Sequence, residues 1–236
     1  MARYLSSRVP WKLALIVLCA ALDGFPGRPS HARAAEGQRD ETVLSKTAAG
    51  MMPGDWAELQ TDMPEGLWTS PRVNGGRNRG GAGGLHIAGW TDDAHWDSKT
   101  GQFLYMGLRQ TRRFIAYSEA QNAWRTIELA RDSDNPCFQS RFGHIYGSNG
   151  FDPQRGRFYH RYNSYKNEQQ GVDLTGGISY FETGTEQWTK LPQIPPDSTF
   201  TGMAIEYFSA MDGLVILGQQ AWFFSNERQK WESLGP

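Results

Sequence analysis

Two histidines stand in matching phrases 58 residues apart, Gly84-Leu-His86-Ile-Ala-Gly89 and Phe142-Gly-His144-Ile-Tyr-Gly147. Imidazole ligates metals, carries protons near neutral pH and hydrogen-bonds anions and sugar hydroxyls. If the fold brings this pair together, it could bind a metal, an anion or a sugar. The corresponding stretch further along, Gly202-Met203-Ala204-Ile205-Glu206, has no histidine, which weakens a three-histidine metal centre. The competing role for each histidine is a hydrogen-bonded cap on a strand end. A second polar cluster is Asp92, Asp93 and His95 after Trp90, which would hold calcium only with oxygens from elsewhere, since no twelve-residue calcium loop is present. Arg141, Tyr146, Asn149, Tyr162 and Asn163 could supply the aromatic and amide lining that sugars prefer. The glycine-rich stretch from Asn74 to Gly84 carries Arg77 and Arg79 but lacks the Lys-Ser/Thr ending of a phosphate loop, and reads as a surface loop. No spacing argues for a Ser-His-Asp triad or a carboxylate pair, so no catalytic residue is assigned.

Residues 1–34 stand apart from the elements that would position these groups. Arg3, Arg8 and Lys12 precede the apolar run Leu13 to Leu22, helix breakers follow, and Ala32-Arg33-Ala34 offers the small residues of a cleavage site. This is the pattern of a signal peptide, and its apolar run is too short to span a bilayer. The expectations are export to the periplasm or beyond, a mature chain starting at Ala35, and no transmembrane segment after cleavage. Cleavage removes five basic residues and one acidic, leaving 19 basic and 24 acidic groups and a net charge of -5, which gives no basic face for nucleic acid. Cys137 is then the only thiol and is expected to be a structural one.

The remaining chain is rich in rings and in turn formers, with Trp 9, Tyr 9, Phe 12, Gly 27 and Pro 12 in 236 residues, which favours short strands over helices. An aromatic, six intervening residues and a tryptophan recur as Tyr117 to Trp124, Phe181 to Trp188 and Phe224 to Trp231. Polar turn formers fill each gap, so each unit reads as strand, turn and outer strand. The outer strands open on WRTIEL, WTKL and WESL, and a fourth such phrase, WAEL, starts at Trp56 without the aromatic. Upstream of each unit lies a second hairpin, in which Gly101, Gly156 and Gly213 are expected to take the positive-φ position of the turn. Gly101 and Gly156 are 55 residues apart, and Gly156 and Gly213 are 57 apart, so the two sets of markers share one period. Each period offers four short strands. For the middle one they are expected at about 143–147, 157–162, 177–181 and 188–191.

The aromatic-to-tryptophan spacing, the Asp-Gly turn and the outer W-x-x-L strand resemble kelch repeats of the galactose-oxidase-like β-propellers, over about residues 85–234. The paired glycines usual at the end of the second strand are reduced to single Gly107 and Gly218, with Arg161 at the middle position, so the resemblance is to a divergent member. It implies an all-β, kelch-like propeller of about three complete four-stranded blades, near 84–130, 140–193 and 200–235, with a partial blade or outer strand within 44–68. Three blades fall short of the four to eight that close a propeller, so a piece of a longer propeller or a degenerate fourth blade is expected. The six ring residues of the repeat become packing groups between sheets. His86 and His144 would lie on innermost strands facing the central channel.

The resulting expectation is an exported binding module that takes a glycan or an extracellular protein at the channel mouth. Its candidate ligand residues are His86, His144, Arg141, Tyr146, Trp90, Asp92, Asp93 and His95, and only His86 and His144 come forward for a metal. The alternative is a carbohydrate-active enzyme, either a lyase or hydrolase using His144 with Tyr146 or Arg141, or a copper-radical oxidase for which Cys137 would be the one crosslink partner. No cofactor is required by the sequence.

Overall fold

The computed structural model describes residues 41–70, 85–87, 94–107, 113–127, 147–162, 165–167, 172–174, 177–194, 204–218 and 220–235. The chain divides into two compact units, 1–60 and 61–236. In the first unit, helix α1 spans Val43–Ala49 and buries none of its residues. It starts at Thr42 because the Thr42 hydroxyl accepts from the Ser45 N–H while the Ser45 hydroxyl accepts from the Thr42 N–H, a reciprocal cap on two otherwise unpaired donors. The fourth W-x-x-L phrase forms no strand, and Trp56 is 80% exposed. A degenerate blade in 44–68 is therefore not what these residues build. Trp56 lacks the aromatic partner seven residues earlier that the true outer strands have.

The second unit is mostly β. Short strands β1 (Thr69–Ser70) and β2 (Leu85–His86) pair with each other. Three four-stranded antiparallel sheets follow. The first runs β3 (Ala94–Asp97), β4 (Gln102–Met106), β5 (Phe114–Ser118) and β6 (Ala123–Ile127) in sequential order. The second is β7 (Asn149–Asp152), β8 (Arg157–Tyr162), β11 (Gly177–Glu182) and β12 (Gln187–Lys190), and between β8 and β11 it carries the small hairpin β9 (Tyr165–Asn167) and β10 (Val172–Leu174). The third is β13 (Ala204–Phe208), β14 (Gly213–Leu217), β15 (Ala221–Ser225) and β16 (Lys230–Gly235). No helix lies between 85 and 234 among the described residues. These are sheets of the kind that make propeller blades.

One turn geometry accounts for the repeats in the sequence. Six hairpins, two in each four-stranded sheet, have four-residue loops, as the register pairs Asp97 with Gln102, Ser118 with Ala123, Asp152 with Arg157, Glu182 with Gln187, Phe208 with Gly213, and Ser225 with Lys230. The fourth loop residue always has positive φ: Gly101, Asn122, Gly156, Glu186, Asp212 and Gln229. A four-residue loop plus one flanking residue on each side places residues i and i+7 directly across from each other. Tyr117 thus faces Trp124, Phe181 faces Trp188 and Phe224 faces Trp231, with ring centroids 5.5, 5.4 and 5.1 Å apart. In the third sheet the positive φ falls on Asp212, not on Gly213 as expected. Gly213 is needed for another reason, because a Cβ there would overlap the Phe224 carbonyl oxygen and the Phe223 ring.

Strand alternation sends each aromatic pair toward the preceding element. Phe181 and Trp188 pack on Leu104, Met106, Phe114, Ala116 and Ile127 of the first sheet, together with Phe158. Phe224 and Trp231 pack on Tyr159, Ile178, Leu191 and Ile194 of the second-sheet segment. Tyr105, Ile115 and Trp124 of the first sheet pack instead on Leu67, Trp68 and Ile87. Residues flanking β1 and β2 therefore occupy the place of a preceding sheet, and Asp62 extends the edge by a parallel bridge to Ala123. The packing role expected for the six ring residues holds, and each of the fully buried ones, Tyr117, Phe181 and Phe224, contributes about 2 kcal/mol.

Candidate functional site

Each four-stranded sheet has a turn end, which holds its two four-residue hairpins, and a loop end, which holds the connections between its second and third strands and on to the next sheet. The polar groups at the turn end clasp neighbouring sheets. Asp97 and Asp152 close equivalent inner strands and are both fully buried. Asp97 accepts from the Lys99 N–H at 2.9 Å, the Thr100 hydroxyl at 2.7 Å and, across the seam, the Thr183 hydroxyl of the second sheet at 2.6 Å. Lys99 also donates to the Gln154 carbonyl. Asp152 accepts from the Gln154 and Arg155 N–H groups, and Arg155 bridges Asp152 at 2.9 Å to Asp212 of the third sheet at 2.5 and 2.7 Å. Tyr207 and Asn226 also donate to Asp212, at 3.0 and 3.2 Å. The Arg155 contact holds the Asp212 carboxyl down to about 2 and keeps the guanidinium charged. In the third sheet the equivalent position is Phe208, which is 48% exposed.

The polar groups at the loop end of the second sheet are different in kind. Asn149, His160 and Ser179 are register partners on adjacent strands and form a buried row. They share a face with Phe158 and Phe181, the face turned to the first sheet. His160 Nδ1 lies 2.7 Å from Asn149 Oδ1, so Nδ1 carries the proton and donates. Burial, and then the charge of Arg161, lowers the His160 pKa to about 3, and the ring is neutral. Arg161 points the other way, toward the third sheet. Its backbone N–H donates to the Ser148 carbonyl and its Nη2 reaches Ser148 Oγ at 3.4 Å, while burial lowers its pKa to about 10. The row anchors the start of the inner strand. A neutral buried imidazole beside an amide offers no proton donor at working pH.

The residues expected to form a site fare unevenly. His95 is not part of an exposed polar cluster. It lies on β3 with its ring stacked on Phe151 at 5.7 Å and edge-on to Phe158 at 5.5 Å. Its Nε2 is buried without a hydrogen-bond partner, and burial lowers its pKa to about 4. His86 is on β2, paired with β1, and so is not on the innermost strand of the first four-stranded sheet; that strand is β3. Among the described residues the innermost strand of the second sheet is Asn149–Asp152, and of the expected 143–147 all but Gly147 lie outside them. Asn149 does not line a sugar site, because it is 2% exposed and bonded to His160. Trp90, Asp92, Asp93, Arg141, His144 and Tyr146 lie outside the described residues, as do Asn163 and Cys137. By chain order Arg141, His144 and Tyr146 belong to the connection from β6 to β7, which leaves from the loop end. Sequence reasoning missed His160. Its signal was the alternation in Arg157-Phe-Tyr-His-Arg-Tyr162, which puts a histidine in step with buried Phe158.

No protein-family model matches the chain, and no curated protein matches it. Among solved structures it is similar to TolB from Acinetobacter baumannii, at 11% identity and a TM-score of 0.38, over 60% of this chain and 31% of that one. It is also similar to the GH74 xyloglucanase from Xanthomonas campestris, at 15% identity and a TM-score of 0.38, over 60% of this chain and 21% of that one. Both are β-propeller proteins, and the chain spans less than a third of the length of either.

Proposed function

We propose that the chain is an exported, divergent kelch-like propeller region acting as a binding module, which takes a glycan or an extracellular protein on the loop end of its sheets. One contrast supports this reading. The turn end is built from six loops of one length, four of which carry polar contacts that hold neighbouring sheets together, whereas the loop end carries the long connections of the four-stranded sheets, 128–148, 163–176 and 191–203. Variable loops on a rigid stack are where recognition residues accumulate. Arg141, His144 and Tyr146 fall in the first of these connections.

Glycan-array and protein-array screening of the exported protein tests the reading, with metal analysis of the same sample. Saturable binding that is lost in His144→Ala or Arg141→Ala, and kept in the turn-end variant Arg155→Ala, supports it. Turnover of a carbohydrate, or copper bound in stoichiometric amount, would move the chain to the enzymes. Terminal sequencing of the exported form should return Ala35, and an exported chain still starting at Met1 would remove the signal-peptide reading.

A further inference from the structure

We infer that the seam between the first and second sheets is an acid-sensitive latch, closed while His95 and His160 are neutral and opened by their protonation, whereas the seam between the second and third sheets withstands the same acidity. Both histidines sit in the first seam. His95 is held between the rings of Phe151 and Phe158, with Nε2 buried and unpartnered, so a proton added there would place a charge among aromatic faces. His160 follows Phe158 by two residues on the same face of β8 and is 2% exposed.

Among the described residues, the groups facing these rings offer no acidic side chain free to receive a proton's charge, and Arg161, next to His160 on β8, opposes a positive charge there. From β3 comes Asp97, whose oxygens already accept from Lys99, Thr100 and Thr183. From β4 come Gln102, Leu104 and Met106, and from β7 Phe151 and Asn149. From β8 comes Phe158, from β11 Ser179 and Phe181, and from β12 Trp188 with Lys190 at the exposed outer edge. Among the described residues the ion pair across this seam is Arg125 with Glu186 at 2.6 Å, at the rim with both side chains partly exposed. The second seam has no histidine among the described residues. Its clasp is Arg155 with Asp212, whose carboxyl is held at about 2 and stays ionised in mild acid.

The sign follows from which state binds protons. Both imidazoles have their pKa lowered by burial, to about 4 and about 3, so the open state takes up protons first. Closure is at full strength above the ordinary histidine value of 6.5 and weakens as pH falls toward 4. Between pH 7 and pH 5 the opening equilibrium should rise about 20-fold for each histidine released.

Hydrogen–deuterium exchange of the full chain at pH 7 and pH 5, with labelling times scaled for the intrinsic rate, reads this directly. The expected result is a loss of protection of about 20-fold or more over 94–106 and 114–127, with 204–235 unchanged. His95→Phe, an aromatic that never charges, should remove about 20-fold of that loss. Equal loss in the first and third sheets, or a His95→Phe chain as acid-sensitive as the parent, would overturn the latch. If that variant fails to fold, an NMR titration of the unaltered protein decides. A His95 that stays neutral until the first sheet opens supports the latch, and one that titrates near 6.5 within the closed fold refutes it.

Discussion

Between the first and second sheets Phe114 meets Phe158 at 4.7 Å and Phe181 at 5.4 Å, and two neutral histidines, His95 of the first sheet and His160 of the second, line the same seam. Between the second and third sheets the buried residues are largely aliphatic, Ile178, Leu191, Ile194, Ile205, Leu214 and Ile216, and the polar closure is a guanidinium bridging two carboxylates. The same repeat thus makes one seam from rings and another from branched chains. Each is pinned at its turn end by a buried aspartate, through a neutral hydroxyl in the first seam and an ion pair in the second. Two seams of similar topology can therefore have different responses to acid, because their polar atoms differ even though their backbones do not.

The largest expected effect comes from emptying the ring seam. Phe158→Ala removes a fully buried ring that touches Phe114 and His95, and should cost about 4 kcal/mol by denaturant unfolding. A cost below 1 kcal/mol would mean the first seam is not held by rings. Gly213→Ala acts on the third sheet alone, where the added methyl meets the Phe224 carbonyl and the Phe223 ring. It should cost about 3 kcal/mol and lower exchange protection first in β14 and β15. Removing the ionic clasp is a smaller change. Arg155→Ala should cost about 2 kcal/mol, since Asp152 remains buried and keeps only its two backbone donors.

That third effect has a pH signature opposite in range to the latch. The Asp212 carboxyl is held below its ordinary 3.8, at about 2, so the clasp contributes fully above 3.8 and is lost as pH falls through 2. The cost of Arg155→Ala should therefore be constant from pH 7 to pH 4 and shrink below that. A cost that fades between pH 7 and pH 5 would erase the distinction between the seams. The smallest effect tests the outer edge: Trp231→Phe keeps the packing on Phe224 but loses the Nε1 hydrogen bond to the Pro192 carbonyl at 3.1 Å. It should lower stability by about 1 kcal/mol without altering acid sensitivity.

The amino-acid order alone determined the sheets, because their signals are local. An aromatic and a tryptophan seven apart require a four-residue loop to face each other, and a loop of that length asks for a turn former such as Gly101, Asn122 or Gly156 where φ is positive. What lies across a seam is a long-range fact that no period encodes. Strand alternation shows that His95 shares a face with Asp97, but not that Phe151 and Phe158 enclose it. The repeat likewise placed His86 one period before His144, yet backbone pairing gives β2 to β1 and makes β3 the inner strand. Only the packed structure decided that Leu67 and Ile87 stand in for a preceding sheet, and that Asp152 reaches Asp212 through Arg155. Such contacts depend on which surfaces meet after the strands have formed, and residues 57 apart in Arg155 and Asp212 leave no local trace of their meeting.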